Sequence, residues 1–158
     1  MSKSTGDGAE IKQEKPFLHS IRVHWGECDP AGIAYTANIP AWALKAIEAW
    51  WKHYAGFDWY ELNVDHRIGT PFVHMHLDFR SAVTPRAMLD CEVRLLRLGR
   101  SSITHQVKAF QNGVLCFEGE FVAVFVDLHI EIIVDAQTKS RTPPADILAA
   151  IKSAIAKS

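Results

Sequence analysis

Cysteine is scarce in this chain: Cys28, Cys91 and Cys116 are the whole set, an odd number with no Cys-x-x-Cys pair. That excludes a disulfide scaffold and a cysteine metal cluster, and it points to a reducing cytoplasm. Long hydrophobic runs are also lacking. The longest, such as Phe121–Val126, fall far short of the ~20 residues a membrane span needs, so no membrane partner is expected. Charge of one sign is missing too. Seventeen Lys and Arg against eighteen Asp and Glu leave −1, which argues against a dedicated nucleic-acid binder. No basic stretch followed by an apolar one opens the chain, so a secretory signal is not expected. What is present is ordinary globular material: 158 residues, 48% apolar and 22% charged. This composition supplies a core for one domain. The polar opening, residues 1–15, reads as a disordered tail, and residues 16–158 as the single domain.

Phe17 to Trp25 alternates apolar and polar residues, which predicts a strand. A loop, Gly26-Glu27-Cys28-Asp29-Pro30-Ala31-Gly32, follows by its Gly and Pro content. Asn38 to Ala55 predicts a long helix, with Ile39, Ala43, Ala46, Ile47, Trp50 and Tyr54 on one face and Lys45, Glu48 and Lys52 opposite. Asn38 or Thr36 is its candidate N-cap and Gly56 its stop. Phe57 to Ile68 reads as a connector carrying Trp59. Phe72–Arg80, Met88–Leu98, Ser102–Gln111 and Val114–Val126 predict four strands in hairpin succession, with Asn112-Gly113 as the clearest turn. On the last of them Leu115, Phe117, Phe121 and Phe125 share a face, and Gly119 marks a bulge or a close approach. A terminal helix from Pro143 or Pro144 to Lys157 carries the stripe Ile147, Leu148, Ile151 and Ile155. The sum is an α+β domain with an antiparallel sheet over one long helix, whose edge strand invites a second copy.

The loop before the helix carries the chemistry. It sets Asp29 close to a helix N-terminus, where unpaired N–H groups and about half a positive charge favour a developing oxyanion. The carboxylate there can attack or activate water. The same four residues, Asp29 to Gly32, also read as a plain turn.

Gly26 through Ile33, followed by Tyr35, Asn38 and Trp42, resembles the signature loop of the 4-hydroxybenzoyl-CoA thioesterase family of hotdog-fold enzymes. Trp59, Gly69-Thr70-Pro71, Arg100 and Thr142-Pro143-Pro144 extend the likeness over nearly the whole chain. The resemblance implies a hotdog fold: a five-stranded antiparallel sheet wrapped around the central helix, with a C-terminal helix. It implies an acyl-CoA thioesterase needing no cofactor or metal. Asp29 matches the catalytic carboxylate, as nucleophile or general base. The backbone N–H groups near Tyr35 and Thr36 match the donors to the thioester carbonyl. Arg100 falls where the family contacts the CoA nucleotide. Hydroxybenzoyl members carry an acid on the central helix where this chain has Leu44, so a small acyl group that is apolar or differently substituted, aromatic or not, is expected in place of 4-hydroxybenzoyl, with Trp42 and Trp59 lining its site or filling the core. A homodimer or homotetramer is expected, with the site at the interface and CoA contacts partly from the second chain.

Other residues have plainer readings. Glu27 sets the loop charge or is merely solvated. Cys28 reads as a small buried thiol. His74, His76 and Asp78 share a strand face, where they line a groove or meet a partner more readily than they hold a metal. Arg86 and Arg97 stand near strand ends and suit phosphate. Two competing functions remain: a non-catalytic acyl-CoA sensor on the same fold, and a hotdog dehydratase or hydratase, whose His-based motif is not found.

Overall fold

The structure is a computed structural model that describes residues 13–128 and 140–156. The central helix α1 (Asn38–Ala55) forms where the apolar spacing predicts it. Its buried stripe is Ile39, Trp42, Ala43, Ala46, Ile47, Trp50 and Trp51, one tryptophan wider on each flank than the 3.6-residue pattern alone. Each fully buried large apolar side chain contributes ~1.5–3 kcal/mol, which is where the stability of this helix lies. Gly56 stops it in the left-handed conformation, φ 87°.

Around α1 wraps one antiparallel sheet. Its strands are β1 (Phe17–Ile21), β3 (Phe72–Phe79), β4 (Leu89–Leu98), β5 (Ser102–Gln111) and β6 (Val114–Val124), in the spatial order β1-β4-β5-β6-β3. A minor pair, β2 (Ile68–Gly69) with β7 (Val126–Asp127), stands apart. Strand β5 alternates throughout, and β4 alternates up to a register shift between Leu95 and Arg97, so that Leu89, Cys91, Val93 and Leu95 and then Ile103, His105, Val107 and Ala109 are buried toward the helix. Helix α3 (Ala145–Ile155) packs Ile147, Ile151 and Ile155 into the same core and rests on α1. This is the hotdog architecture.

Several expectations are corrected. The four later strands do not follow in hairpin succession. β3 lies beyond β6 at the far edge, and the chain crosses from β3 to β4 past the end of the β5–β6 hairpin. That crossover is held by hydrogen bonds. Arg80 N–H and Ser81 N–H both donate to the Cys116 carbonyl (2.8 and 3.1 Å). Gln111 Nε2 donates to Thr84 O and Ala87 O (2.7 and 2.9 Å), and its Oε1 accepts from Thr84 N. The first strand ends at Ile21 rather than Trp25, because β4 offers no partner before Leu89; Trp25–Glu27 forms a 3-10 turn instead. The connector holds a short helix, α2 (Trp59–Val64), started by a capping box between Asp58 and Glu61. The last strand breaks at Phe125, whose N–H and carbonyl turn to Ser101 and Arg141.

Ala109 faces Phe117 while Phe110 faces Leu115, so Cys116 is a bulge residue. The extra residue turns Leu115 off the inner face it was expected to share with Phe117, Phe121 and Phe125. Gly119 is a close approach. A Cβ there would stand 2.1 Å from the His76 carbonyl oxygen. Asn112-Gly113 turns the β5–β6 hairpin with both residues at positive φ. Residues 1–12 of the expected tail lie outside the described residues, as does Lys157. Gln13, expected in that tail, is buried. Its Oε1 accepts from Trp50 Nε1 (3.0 Å) and Leu95 N (3.2 Å), filling the edge of β4 just before β1 begins at Phe17.

Candidate active site

Asn38 opens α1 as its first helical residue. The N-cap position is Ala37, with no side-chain cap bond, so neither Asn38 nor Thr36 caps the helix. The Asn38 amide instead donates to the Glu27 carbonyl (2.7 Å). Tyr35 N–H donates to the same carbonyl (2.9 Å). Between these anchors the chain makes a tight loop. Asp29 N–H donates to Ile33 O (2.9 Å), Gly32 N–H to Asp29 O (3.0 Å), and Cys28 bridges Ala34. Gly32 has φ 79°, a conformation that side chains resist. The Asp29 Oδ1 accepts from Ala31 N–H (2.8 Å), which fixes the carboxylate on a short Asx turn.

One of the two N–H groups expected to serve a carbonyl is bonded within the loop. Tyr35 N–H is committed to Glu27, because closing the loop needs that bond. Thr36 and Ala37, which lead into the positive end of α1, donate their N–H groups to no backbone acceptor among the described residues, and Thr36 lines the cleft beside them. This cleft, of about 290 Å3, is walled by Ile33, Ala34, Thr36 and Ile39 on one side and by the Phe79–Val83 segment on the other. Ala34 N–H donates to Val83 O (2.8 Å) and so joins the two walls. The lining is mostly apolar. Arg80, its charged member, pairs with Glu118 and Asp78 on the outer face of the sheet.

Asp29 stands one hydrogen bond from Ile33, on the rim of this cleft rather than in its wall. Tyr35 is exposed beside it. The remaining expected site residues are not brought together with them. Trp42 is buried, 1% exposed, and its indole N–H reaches the Glu27 carboxylate (3.4 Å). Leu44 packs against the core from a half-buried position. Trp59 starts α2 and stacks edge-on against Phe72, centroids 5.8 Å apart. Arg100 is exposed on the β4–β5 hairpin, at the opposite end of the strands from the cleft, about 20–30 Å away at ~3.3 Å per residue. Cys28 is half-buried rather than buried, its thiol directed at His24 O (3.7 Å). His76 pairs with Asp78 (3.3 Å) on the exposed outer face.

One contributor escaped the sequence reading, and a second, Glu27, was legible there only as a loop charge or a solvated carboxylate. The Phe79–Val83 wall carries no motif and belongs to the cleft only through strand order. Glu27 works through both its carbonyl and its carboxylate, the latter accepting from His24 N–H (2.7 Å).

A family model of the thioesterase-like superfamily matches residues 23–151, nearly all of the described structure. The chain belongs to this superfamily. It is similar to a thioesterase superfamily protein from Jannaschia sp. CCS1, 44% identical over 90% of this chain and 95% of that one, with a TM-score of 0.78. At lower identity it shares the fold of a 1,4-dihydroxy-2-naphthoyl-CoA thioesterase from Synechocystis (17% identical, 86% and 95% covered, TM-score 0.73). It also shares the fold of a 4-hydroxybenzoyl-CoA thioesterase variant complexed with 4-hydroxybenzoyl-CoA (22% identical, 87% and 99% covered, TM-score 0.71). No curated protein sequence matches. The loop that carries Asp29 and the Thr36 N–H both lie inside the segment matched by the superfamily.

Proposed function

We propose that this thioesterase-like protein hydrolyses the thioester of an acyl-CoA with a small, apolar or aromatic acyl group. The reaction takes R–CO–S–CoA and water to the acid and free CoA thiol. The observation that carries the reading is that the Asp29 carboxylate, fixed on its turn, is held by a backbone bond to Ile33, which lines an apolar cleft together with Thr36. In this reading the thioester carbonyl oxygen takes the Thr36 N–H, whose strength grows as the oxygen becomes an oxyanion. Asp29 attacks the carbon directly, or takes a proton from the water that does. On the first route the carbon–sulfur bond breaks, the CoA thiolate leaves and water hydrolyses the Asp29 anhydride to the free acid; on the second the carbon–sulfur bond breaks as the thiolate leaves with the proton that Asp29 took from water.

The acyl group is read from the cleft. Among the described residues its walls carry no carboxylate or side-chain amide for a ring hydroxyl, and a buried hydroxyl without a partner costs ~1–3 kcal/mol. Leu44 stands where hydroxybenzoyl-type relatives would carry an acid. The 4-hydroxybenzoyl ester itself is therefore not the favoured substrate.

The working form is a homodimer, or a tetramer made of two such dimers. The free edge of β3 faces away from β6, and Met75 and Phe79 point to the inner side of the sheet yet stay about half exposed (48% and 54%). An antiparallel second copy along β3 would cover them. It would also bring the far end of one chain, with Arg100, toward the cleft of the other. The protein is read as cytoplasmic. No helix among the described residues is long and apolar enough to cross a membrane.

A panel of acyl-CoAs, with released thiol followed by a thiol reagent, tests the function. Turnover of benzoyl-CoA or a short aliphatic acyl-CoA supports it. Tight binding of every acyl-CoA without turnover would replace it by the sensor reading.

A further inference from the structure

Glu27 sits two residues before Asp29 and is used at four points. Its carbonyl accepts from Tyr35 N–H and from the Asn38 amide (2.9 and 2.7 Å). Its carboxylate accepts from His24 N–H through Oε2 (2.7 Å) and from the Trp42 indole through Oε1 (3.4 Å). Trp42 is almost wholly buried, and Glu27 is the acceptor its indole N–H has among the described residues. A buried N–H needs such an acceptor, so the side chain of Glu27 is not free to wander. The four bonds join the 3-10 turn, the near end of the Asp29 loop, its far end and the second turn of α1. Asp29 and Thr36 N–H both lie on the chain between the two ends so joined.

We infer that Glu27 is the positioning residue of the site: it braces the Asp29 loop onto α1 and so sets where the Asp29 carboxylate stands relative to Thr36 N–H. The inference rests on the thioesterase reading for its kinetic consequence, though not for the brace itself. Glu27 does not touch substrate in this account. Its effect belongs to kcat, because the geometry it sets is that between the attacking group and the carbonyl donor. Misplacement of a reacting group by about 1 Å costs up to ~10²-fold.

The side-chain chemistry orders the variants. Glu27→Gln keeps one acceptor oxygen for two donors, so it satisfies His24 N–H or the Trp42 indole and not both. Glu27→Ala satisfies neither. Trp42→Phe removes the indole N–H while keeping the ring, so one oxygen then suffices and Glu27→Gln becomes mild in that background.

The test has two readouts. With benzoyl-CoA, Glu27→Ala is expected to lower kcat by about 10- to 100-fold with KM within about twofold. Glu27→Gln falls between it and wild type, and Trp42→Phe blunts the Gln effect. By nitrogen–proton NMR, the Trp42 indole resonance, assigned by its loss in Trp42→Phe, should shift and exchange faster in Glu27→Ala. A wild-type kcat in folded Glu27→Ala, or an equal fall in every variant tracking only melting temperature, overturns the positioning role. An unmoved indole resonance overturns the brace. If the wild type hydrolyses no acyl-CoA while the indole responds as expected, the thioesterase reading falls and the brace stands.

Discussion

The inner surface of the sheet is finished on one side and left open on the other. Over β4 and β5 it is closed by this chain alone: Trp50, Trp51, Leu95 and Val107 are buried, His105 lies in ring contact with both tryptophans, and Gln13 fills the last gap. Over β3 the same surface continues through Met75 and Phe79, which the described residues leave about half exposed. The cleft and the Asp29 loop adjoin the open side. The contrast teaches where this fold spends its apolar surface. The closed half holds the chain together. The open half keeps an edge strand and an apolar wall available for a substrate and, as proposed, a second copy.

The largest expected break falls on the open side. Asp29→Asn keeps the size of the side chain and the Ala31 bond but removes the charge. Turnover of an acyl-CoA should drop by ~10²–10⁴-fold, the range for losing a general base or nucleophile, with the melting temperature held near wild type. A folded Asp29→Asn with near wild-type kcat would remove Asp29 from the mechanism.

The matching break on the closed side is one of stability. Gln13→Ala strips the acceptor from Trp50 Nε1 and Leu95 N–H together. Two buried donors left unpaired should cost about 2–4 kcal/mol in urea unfolding, while kcat of the folded fraction stays unchanged. A loss below ~0.5 kcal/mol would return Gln13 to a dispensable tail.

Met75→Lys sharpens the difference. A charge on the inner side of a free edge strand opposes pairing with another strand. Self-association followed by sedimentation should weaken at least ~10-fold, with little change in the stability of the single chain because Met75 is already half exposed. A wild-type protein that sediments as a monomer at micromolar concentration would refute the dimer directly.

The smallest effect is a slope. Burial holds His105 neutral, lowering its pKa from 6.5 to about 3. Between those values the unfolded chain carries the extra proton, so stability is full above about pH 6.5 and falls as the pH drops toward about 3. The slope from this group is at most ~1.4 kcal/mol per pH unit. His105→Leu should flatten it when unfolding is compared at pH 7 and pH 5. An unchanged slope would assign the acid sensitivity to other groups.

Much of this was legible from residue spacing. The 3.6-residue stripe and Gly56 mark α1 at both ends, and Asn112-Gly113 marks the hairpin, because these are local choices of φ and of side-chain face. Gly119 was legible as a close approach, though not its neighbour, the His76 carbonyl. The capping box at Asp58 and Glu61 is written in the sequence, but the helix it starts has six residues, too few to show an apolar stripe in the stretch expected to be a connector. The loop motif located Asp29, but Trp42, Leu44, Trp59 and Arg100 are scattered between core, surface and the far end of the sheet.

By itself the sequence determined the class of elements, the helix that the sheet wraps and the loop that holds the carboxylate, since periodicity and turn chemistry act over a few residues. Only the tertiary structure decided that β3 lies beside β6, that Gln13 completes the core, and that Glu27 rather than substrate takes the Tyr35 N–H. Strand order and the choice of hydrogen-bond partner are settled by groups far apart in the chain that compete for one another when it folds, and no local pattern records which of them wins.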